Sequence, residues 1–198
     1  MIDDAIWVAK SLFERGKTAG SSANLSFIEN DRIYITATNS CFGSLTTSSF
    51  SCLNIDSEHL YGPKPSKEFP MHLAFYKKRK DIKAIIHIHS FYSVLWSCIK
   101  HNNVTDIVPD YTPYLKMRLG EIALVPYAPP GSAELATLLE DSITDANGYL
   151  LANHGPIVGA KDILTAFYNV EELEESIKVA WYLKNENKDI SYCTIPRS

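Results

Sequence analysis

Apolar positions along this chain recur with two periods in alternation, about 3.6 in some segments and 2 in others, so helices and strands follow one another throughout. Ile6, Ala9, Leu12 and Phe13 line one side of Ile2 to Arg15, which predicts an amphipathic helix ended at Gly16 or Gly20. Leu25 to Ile28 and Ile33 to Thr36 predict a hairpin, and the loop between them is centred on Asn30-Asp31, a pair suited to tight reversal. Ser51 to Ile55 predicts a further short strand. Met71, Leu73, Ala74 and Phe75, followed by a basic end, predict a helix over Glu68 to Arg79 entered through Pro65-Ser66. A strand is expected over Ile82 to His89 and a helix over Tyr92 to Ile99. Ile122 to Pro126 reads as a strand, and Ala133 to Leu139 as a helix after Pro129-Pro130-Gly131. Gly148 to Ala152 and Pro156 to Gly159 form another strand pair. Ile163 to Leu183 predicts a long closing helix whose acidic stretch, Glu171, Glu172, Glu174 and Glu175, is most simply its solvated face. The order is alternating α/β, without internal repeat or linker.

Composition narrows the classes. With 198 residues, 45% hydrophobic and 21% charged, the chain has the makings of one ordinary domain with a substantial core. A net charge of −4 argues against a general nucleic-acid surface and leaves room for a local basic pocket for a small anion. No apolar run approaches membrane-spanning length, and Met1-Ile2-Asp3-Asp4 lacks the basic start of a secretory signal, so the cytoplasm is the expected location. Cys41, Cys52, Cys98 and Cys193 show no Cys-x-x-Cys spacing, which favours reduced thiols.

Candidate chemistry gathers at the end of the apolar run Ala84-Ile85-Ile86-His87-Ile88-His89-Ser90. On a strand, His87 and His89 face the same way, about 7 Å apart at Cα, and both imidazoles can turn toward one cation beyond the strand end. A bare His-x-His equally suits two hydrogen-bonded residues at a sheet edge; a third ligand decides between the two. His59 and His101 lie in polar segments and read as solvated loop residues. His154 follows Tyr149-Leu150-Leu151-Ala152 and enters a Gly-Pro turn, a strand-end position where open α/β folds keep their chemistry, which makes it the natural third nitrogen. Three histidines leave a zinc-type coordination sphere open for water or substrate, as in catalytic sites.

Asn24-Leu25-Ser26, then Ser66-Lys67-Glu68 with His72 four residues on, then His87-Ile88-His89-Ser90, then Asn153-His154-Gly155, resemble in order and spacing the motif set of the class II aldolase and adducin-head family. The match spans nearly the whole chain. Within that family, Pro65 to Glu68, Thr112 to Gly120 and Val125-Pro126-Tyr127 are most similar to the 3-oxo-tetronate 4-phosphate decarboxylases, which cleave a four-carbon β-keto acid phosphate to dihydroxyacetone phosphate and carbon dioxide. The resemblance implies a three-layer α/β/α domain spanning residues 1–198 with a central mixed, mainly antiparallel sheet, assembled as a homotetramer with sites between subunits.

It also implies zinc, or another divalent transition metal, held by His87, His89 and His154, with Glu68 beside it as acid/base or as a fourth ligand. Zinc would polarise the 3-oxo carbonyl and hold the enediolate left when carbon dioxide departs. Read without the resemblance, Glu68 is equally an acidic residue at a helix start. Tyr114 matches the family's tyrosine acid, with Tyr111 close enough in sequence to compete for that role. The small phosphorylated sugar-acid substrate is expected on Ser22, Asn24, Thr38, Asn39 and Ser66. There Ala23 and Asn39 replace the family's usual glycines, Asn being tolerable where φ must be positive. Lys67 adds a cation for the substrate's phosphate or carboxylate, unless it is simply a solvated lysine, and Arg118 offers a second anion contact to its own or a neighbouring subunit's site. Retro-aldol cleavage of a phosphorylated ketose such as fuculose 1-phosphate is the alternative reaction, and a non-catalytic adducin-like interaction module the alternative from another class.

Overall fold

The computed structural model describes residues 1–184, 186 and 189–194. Among the described residues, eight strands form one sheet: β1 (Asn24–Glu29), β2 (Arg32–Thr36), β3 (Phe50–Asn54), β4 (His59–Tyr61), β5 (Ala84–His87), β6 (Ala123–Val125), β7 (Gly148–Leu151) and β8 (Gly155–Ala160). Their order across the sheet is β4-β3-β2-β1-β5-β8-β7-β6, antiparallel at every pairing except β6 with β7. Asn30 and Asp31 both take positive φ, 51° and 56°, the type I′ turn whose twist suits a two-residue hairpin between β1 and β2.

The described residues also form six α-helices that cover the sheet: α1 (Ile2–Glu14), α2 (Phe69–Lys78), α3 (Phe91–Ser97), α4 (Pro113–Leu119), α5 (Ala133–Ser142) and α6 (Ile163–Leu183). Strand alternation sends Leu25, Phe27, Ile86, Leu150 and Val158 to one face, where they pack with Leu12 of α1, Trp96 of α3, Leu119 of α4 and Leu173 and Ile177 of α6. The opposite face presents Ile33, Ile35, Ile85, Tyr149 and Ile157 to Phe75 of α2 and Leu135 and Leu139 of α5. Each such side chain, fully withdrawn from water, contributes about 1.5–3 kcal/mol. The result is the expected three-layer α/β/α arrangement around a mixed, mainly antiparallel sheet. Among the described residues no helix is long and apolar enough to cross a membrane.

Several expectations change in detail. The central strand stops at His87, so His89 lies just beyond it, on the way into α3. Thr112 to Gly120 contains a helix, α4, with Pro113 in its first turn and Gly120 at its end. His59 opens the exposed edge strand β4 rather than sitting in a loop, and His101 is half-buried with Nε2 bonded to the Trp96 carbonyl. The acidic stretch of α6 is not uniformly solvated. Glu171 pairs with Arg15 at 2.6 Å and Glu175 with Lys17 at 2.7 Å, whereas Glu174 is buried beneath α3.

Candidate metal and acid–base site

Three histidines converge because two chain reversals meet. β5 delivers His87 at its last residue, and its antiparallel partner β8 begins at Gly155, so the β7–β8 turn carrying His154 stands against the end of β5. Asn153 takes φ 57° in that turn. Gly155 permits the contact: a Cβ there would lie 2.5 Å from the Ile88 carbonyl oxygen. The outcome is a cluster in which the ring of His87 lies 5.1 Å from that of His89 and 4.8 Å from that of His154, and one nitrogen from each lies within 4.8 Å of the others.

Their protonation suits a ligand set. The Nδ1 of His87 lies 2.8 Å from the Pro156 carbonyl oxygen, which can only accept, so Nδ1 carries the hydrogen and Nε2 turns its lone pair into the cluster, 3.2 Å from His89 Nε2. Burial pushes His87 down to about 3, with the Glu68 charge opposing and the neighbouring histidines adding. His89 is taken down to about 4 by burial, then by His154, with Lys67 adding and Glu68 opposing. His154 is buried; among the described residues its Nδ1 has no hydrogen-bond partner and its Nε2 faces Glu68 Oε1 at 3.3 Å. Three imidazoles converging on one point, two of them held neutral, fit a divalent transition metal better than they fit one another.

Glu68 stands at the mouth of this cluster. It is the N-cap residue of α2, yet its side chain makes no capping bond; the Ser66 hydroxyl accepts from its backbone N–H at 3.3 Å instead. The carboxylate turns inward, with Oε1 3.3 Å from His154 Nε2 and Oε2 3.5 Å from His87 Nε2, while Asn24 Nδ2 donates to Oε2 at 2.7 Å. Burial alone would raise this carboxyl, but the adjoining His154 and His87 imidazoles and the Asn24 amide together hold it well below the usual carboxylate range. The resting group is therefore a carboxylate.

A cavity of about 310 Å³ opens over these groups and is walled by Ser22, Asn24, Thr38, Asn39, Ser66, Lys67, Glu68, His89 and His154, together with Ser21, Ala23, Ala37 and Pro130. Asn39 adopts φ 60°, the left-handed conformation for which asparagine is the tolerated substitute. Lys67 is exposed, but its stem lies against the Pro129-Pro130-Gly131 turn. A Cβ on Gly131 would meet Lys67 Cγ at 3.1 Å and Cδ at 3.2 Å. Tyr114 and Arg118 are exposed on α4 and take no part in the cavity wall of the single chain; Arg118 borders two other hollows beside α6. Tyr111 packs against Tyr192, ring centroids 5.1 Å apart.

Residues 3–181 match the model of the class II aldolase and adducin N-terminal domain. The chain belongs to this family. Among its class II aldolase relatives, a 3-oxo-tetronate 4-phosphate decarboxylase of Haemophilus influenzae is 38% identical over 96% of this chain and 90% of its own length. An L-fuculose phosphate aldolase of Methanocaldococcus jannaschii is 37% identical over 88% of this chain and 92% of its own. A crystal structure of YgbL from Escherichia coli superposes with TM-score 0.92 at 37% identity, covering 97% of this chain and 92% of that one. The family and the decarboxylase and aldolase names of these relatives support a carbon–carbon lyase.

The motif residues did not disclose what Ser26 and Tyr76 do. Both are buried, and both touch His72 or its partners on the α2 side of β1. The available signal was periodic: Asn24 and Ser26 two apart on a strand, and Glu68, His72 and Tyr76 four apart along a helix, make two polar stripes that can face each other.

Proposed function

We propose that the chain decarboxylates a 3-oxo-tetronate 4-phosphate, releasing dihydroxyacetone phosphate and carbon dioxide. The observation that carries this reading is the placement of Lys67: next to Glu68, stem against the Gly131 turn, on the wall of the cavity that His89 and His154 also line. A cation there suits a substrate that brings a carboxylate as well as a phosphate. The match in identity to the decarboxylase relatives supports it.

A divalent cation, zinc in our assignment, held by His87, His89 and His154 would supply an electron sink at the 3-oxo group. The chain's own groups do the rest. Lys67 anchors and orients the substrate carboxylate; as the C1–C2 bond breaks, its electron pair moves into the C2–C3 enediolate and carbon dioxide departs. That carbon is far more basic than a carboxylate. Glu68, taking up a proton from solvent, delivers it to C2 to complete dihydroxyacetone phosphate. The hydroxyls of Thr38 and Ser66 and the backbone around Asn39 hold the phosphate, with Ser22 and Asn24 on the same wall. Tyr114 and Arg118, exposed on α4, are assigned to a neighbouring subunit's site within a homotetramer, and the enzyme to the cytoplasm.

A retro-aldol cleavage of a phosphorylated ketose is the second reading, favoured by the aldolase relatives of similar identity. It passes through the same kind of enediolate, with Glu68 as base. An adducin-like module without catalysis is disfavoured by the complete histidine set. Zinc-loaded protein is offered 3-oxo-tetronate 4-phosphate and fuculose 1-phosphate in parallel, with carbon dioxide and aldehyde both measured. Carbon dioxide release is expected, lowered about 100-fold or more by Glu68→Gln, with Lys67→Ala raising KM for the carboxylated substrate about tenfold. Aldehyde without carbon dioxide selects the second reading, and neither product at any metal loading selects the third.

A further inference from the structure

Behind Glu68, away from the cavity, runs an unbroken buried chain of short hydrogen bonds. Asn24 Nδ2 reaches Glu68 Oε2 at 2.7 Å, and Asn24 Oδ1 lies 2.6 Å from His72 Nε2. His72 Nδ1 lies 2.7 Å from Ser26 Oγ, which lies 2.7 Å from the Tyr76 hydroxyl. All five residues are buried, and His72 and Ser26 are completely so. The two stripes interlock because β1 points Asn24 and Ser26 to the α2 side while Glu68, His72 and Tyr76 descend one face of α2.

Chemistry allows one direction along this chain. A carboxylate can only accept, so Asn24 must present its NH2 to Glu68 and its carbonyl oxygen to His72. That oxygen can only accept, so His72 donates from Nε2. A neutral imidazole protonated at Nε2 accepts at Nδ1, so Ser26 donates to it, leaving a lone pair of Ser26 Oγ to accept from Tyr76. Reversing any member leaves two donors or two acceptors facing each other among fully buried groups, which costs on the scale of a buried unsatisfied group.

We propose that Ser26 and His72 are positioning residues: through the His72 tautomer they fix which way round the Asn24 amide stands, and so hold Glu68 by Oε2 with Oε1 presented to the reacting centre. Neither touches the cavity; both act through Asn24. This rests on Glu68 being the acid/base group of the reaction above. The alternative is that the chain merely fills the space between β1 and α2.

The test reads the tautomer directly. In zinc-loaded protein with 15N-labelled histidine, long-range 1H–15N spectra, with the His72 signals assigned by their loss in His72→Gln, should show His72 protonated at Nε2 only. In Ser26→Ala only the Asn24 carbonyl still holds the proton at Nε2, so a minor Nδ1–H population of His72 should appear, with kcat lower by up to about tenfold and KM little changed. Tyr76→Phe leaves Ser26 free to donate, so the tautomer should persist and the loss of kcat should be smaller than for Ser26→Ala. His72→Gln, which keeps a donor toward Asn24, should retain more turnover than His72→Leu at matched thermal stability. An Nδ1–H or doubly protonated His72 in the native chain overturns the proposal, whether or not the substrate assignment holds, since that reading needs no substrate. A Ser26→Ala variant with a changed tautomer but native kcat, or a Tyr76→Phe variant worse than Ser26→Ala, reduces the chain to packing. Native tautomers without turnover of either substrate leave the chain in place and put the reaction in error.

Discussion

Asn24 uses both halves of its amide, donating to Glu68 and accepting from His72, so what it can offer a phosphate is its remaining N–H and its backbone. Sequence placed it in the phosphate pocket on the strength of the motif, and it does line the cavity, but no spacing rule announces which way an amide turns. His72 shows the same limit. Its position four residues after Glu68 is readable, but its buried partner Ser26 lies 46 positions away. Burial pushes His72 down to about 3, below the ordinary value of about 6.5. Between those values the unfolded chain binds a proton that the native chain refuses. His72 is therefore neutral in both states above about pH 6.5, and as pH falls below that value stability is lost at up to about 1.4 kcal/mol per pH unit, until the folded group itself titrates near 3. His72→Gln removes this contribution, so urea unfolding of metal-free protein at pH 7.5, 6 and 5 should show a shallower acid decline than the wild type, whatever constant cost the substitution carries at neutral pH. Parallel slopes would mean that His72 is protonated in the native state.

At the scale of elements, α6 illustrates how composition can mislead where periodicity does not. Four glutamates within five positions suggest a solvated face. Position 174, however, follows Val170 by four and precedes Ile177 by three, and all three side chains are buried on one stripe of α6. Burial of Glu174 is matched by donors: Ser90 Oγ at 2.7 Å, the Tyr92 N–H at 3.0 Å, the Ser93 N–H at 3.0 Å and Ser93 Oγ at 2.6 Å. They belong to the first turn of α3 and the residue before it, so Glu174 fixes the start of α3 immediately after His89. Glu174→Gln keeps shape but places an NH2 among four donors, which should cost about 2–4 kcal/mol in chemical denaturation and lower the metal retained after dialysis, because Ser90 no longer anchors its neighbour His89. A variant that keeps both stability and metal would show that α3 is held by its apolar contacts alone. The elements least legible in the sequence are those with the least pattern to read. α4 spans only Pro113–Leu119 and β4 only His59–Tyr61, the latter fully exposed on the sheet edge with a register shift against β3.

For the molecule as a whole, local periods foretold most elements, while strand order could not be read from them. β5 lies between β1 and β8, and register places His87 opposite both Asn24 and Ile157, so three segments distant in sequence meet at one strand end. The site is thus a product of long-range pairing, and its cost falls on the unliganded chain. His87 and His89 are held neutral against their intrinsic basicity, and among the described residues the buried His154 Nδ1 has no hydrogen-bond partner. A ligand that binds the folded chain alone returns that cost through linkage: free zinc at a hundred times its dissociation constant should stabilise the fold by about 2.7 kcal/mol. For a chain of this length that corresponds to a rise in Tm of roughly 5–10 °C. The rise should reverse with a chelator, shrink as pH falls toward about 4, where His89 begins to take the proton that competes for its lone pair, and vanish in His154→Ala, which removes one of the three donors. His59→Ala, on the exposed edge strand, should leave it intact. If zinc, manganese and cobalt all leave the Tm of the wild type unmoved, the three imidazoles do not form a metal site, and both lyase readings that depend on an electron sink there fall with it.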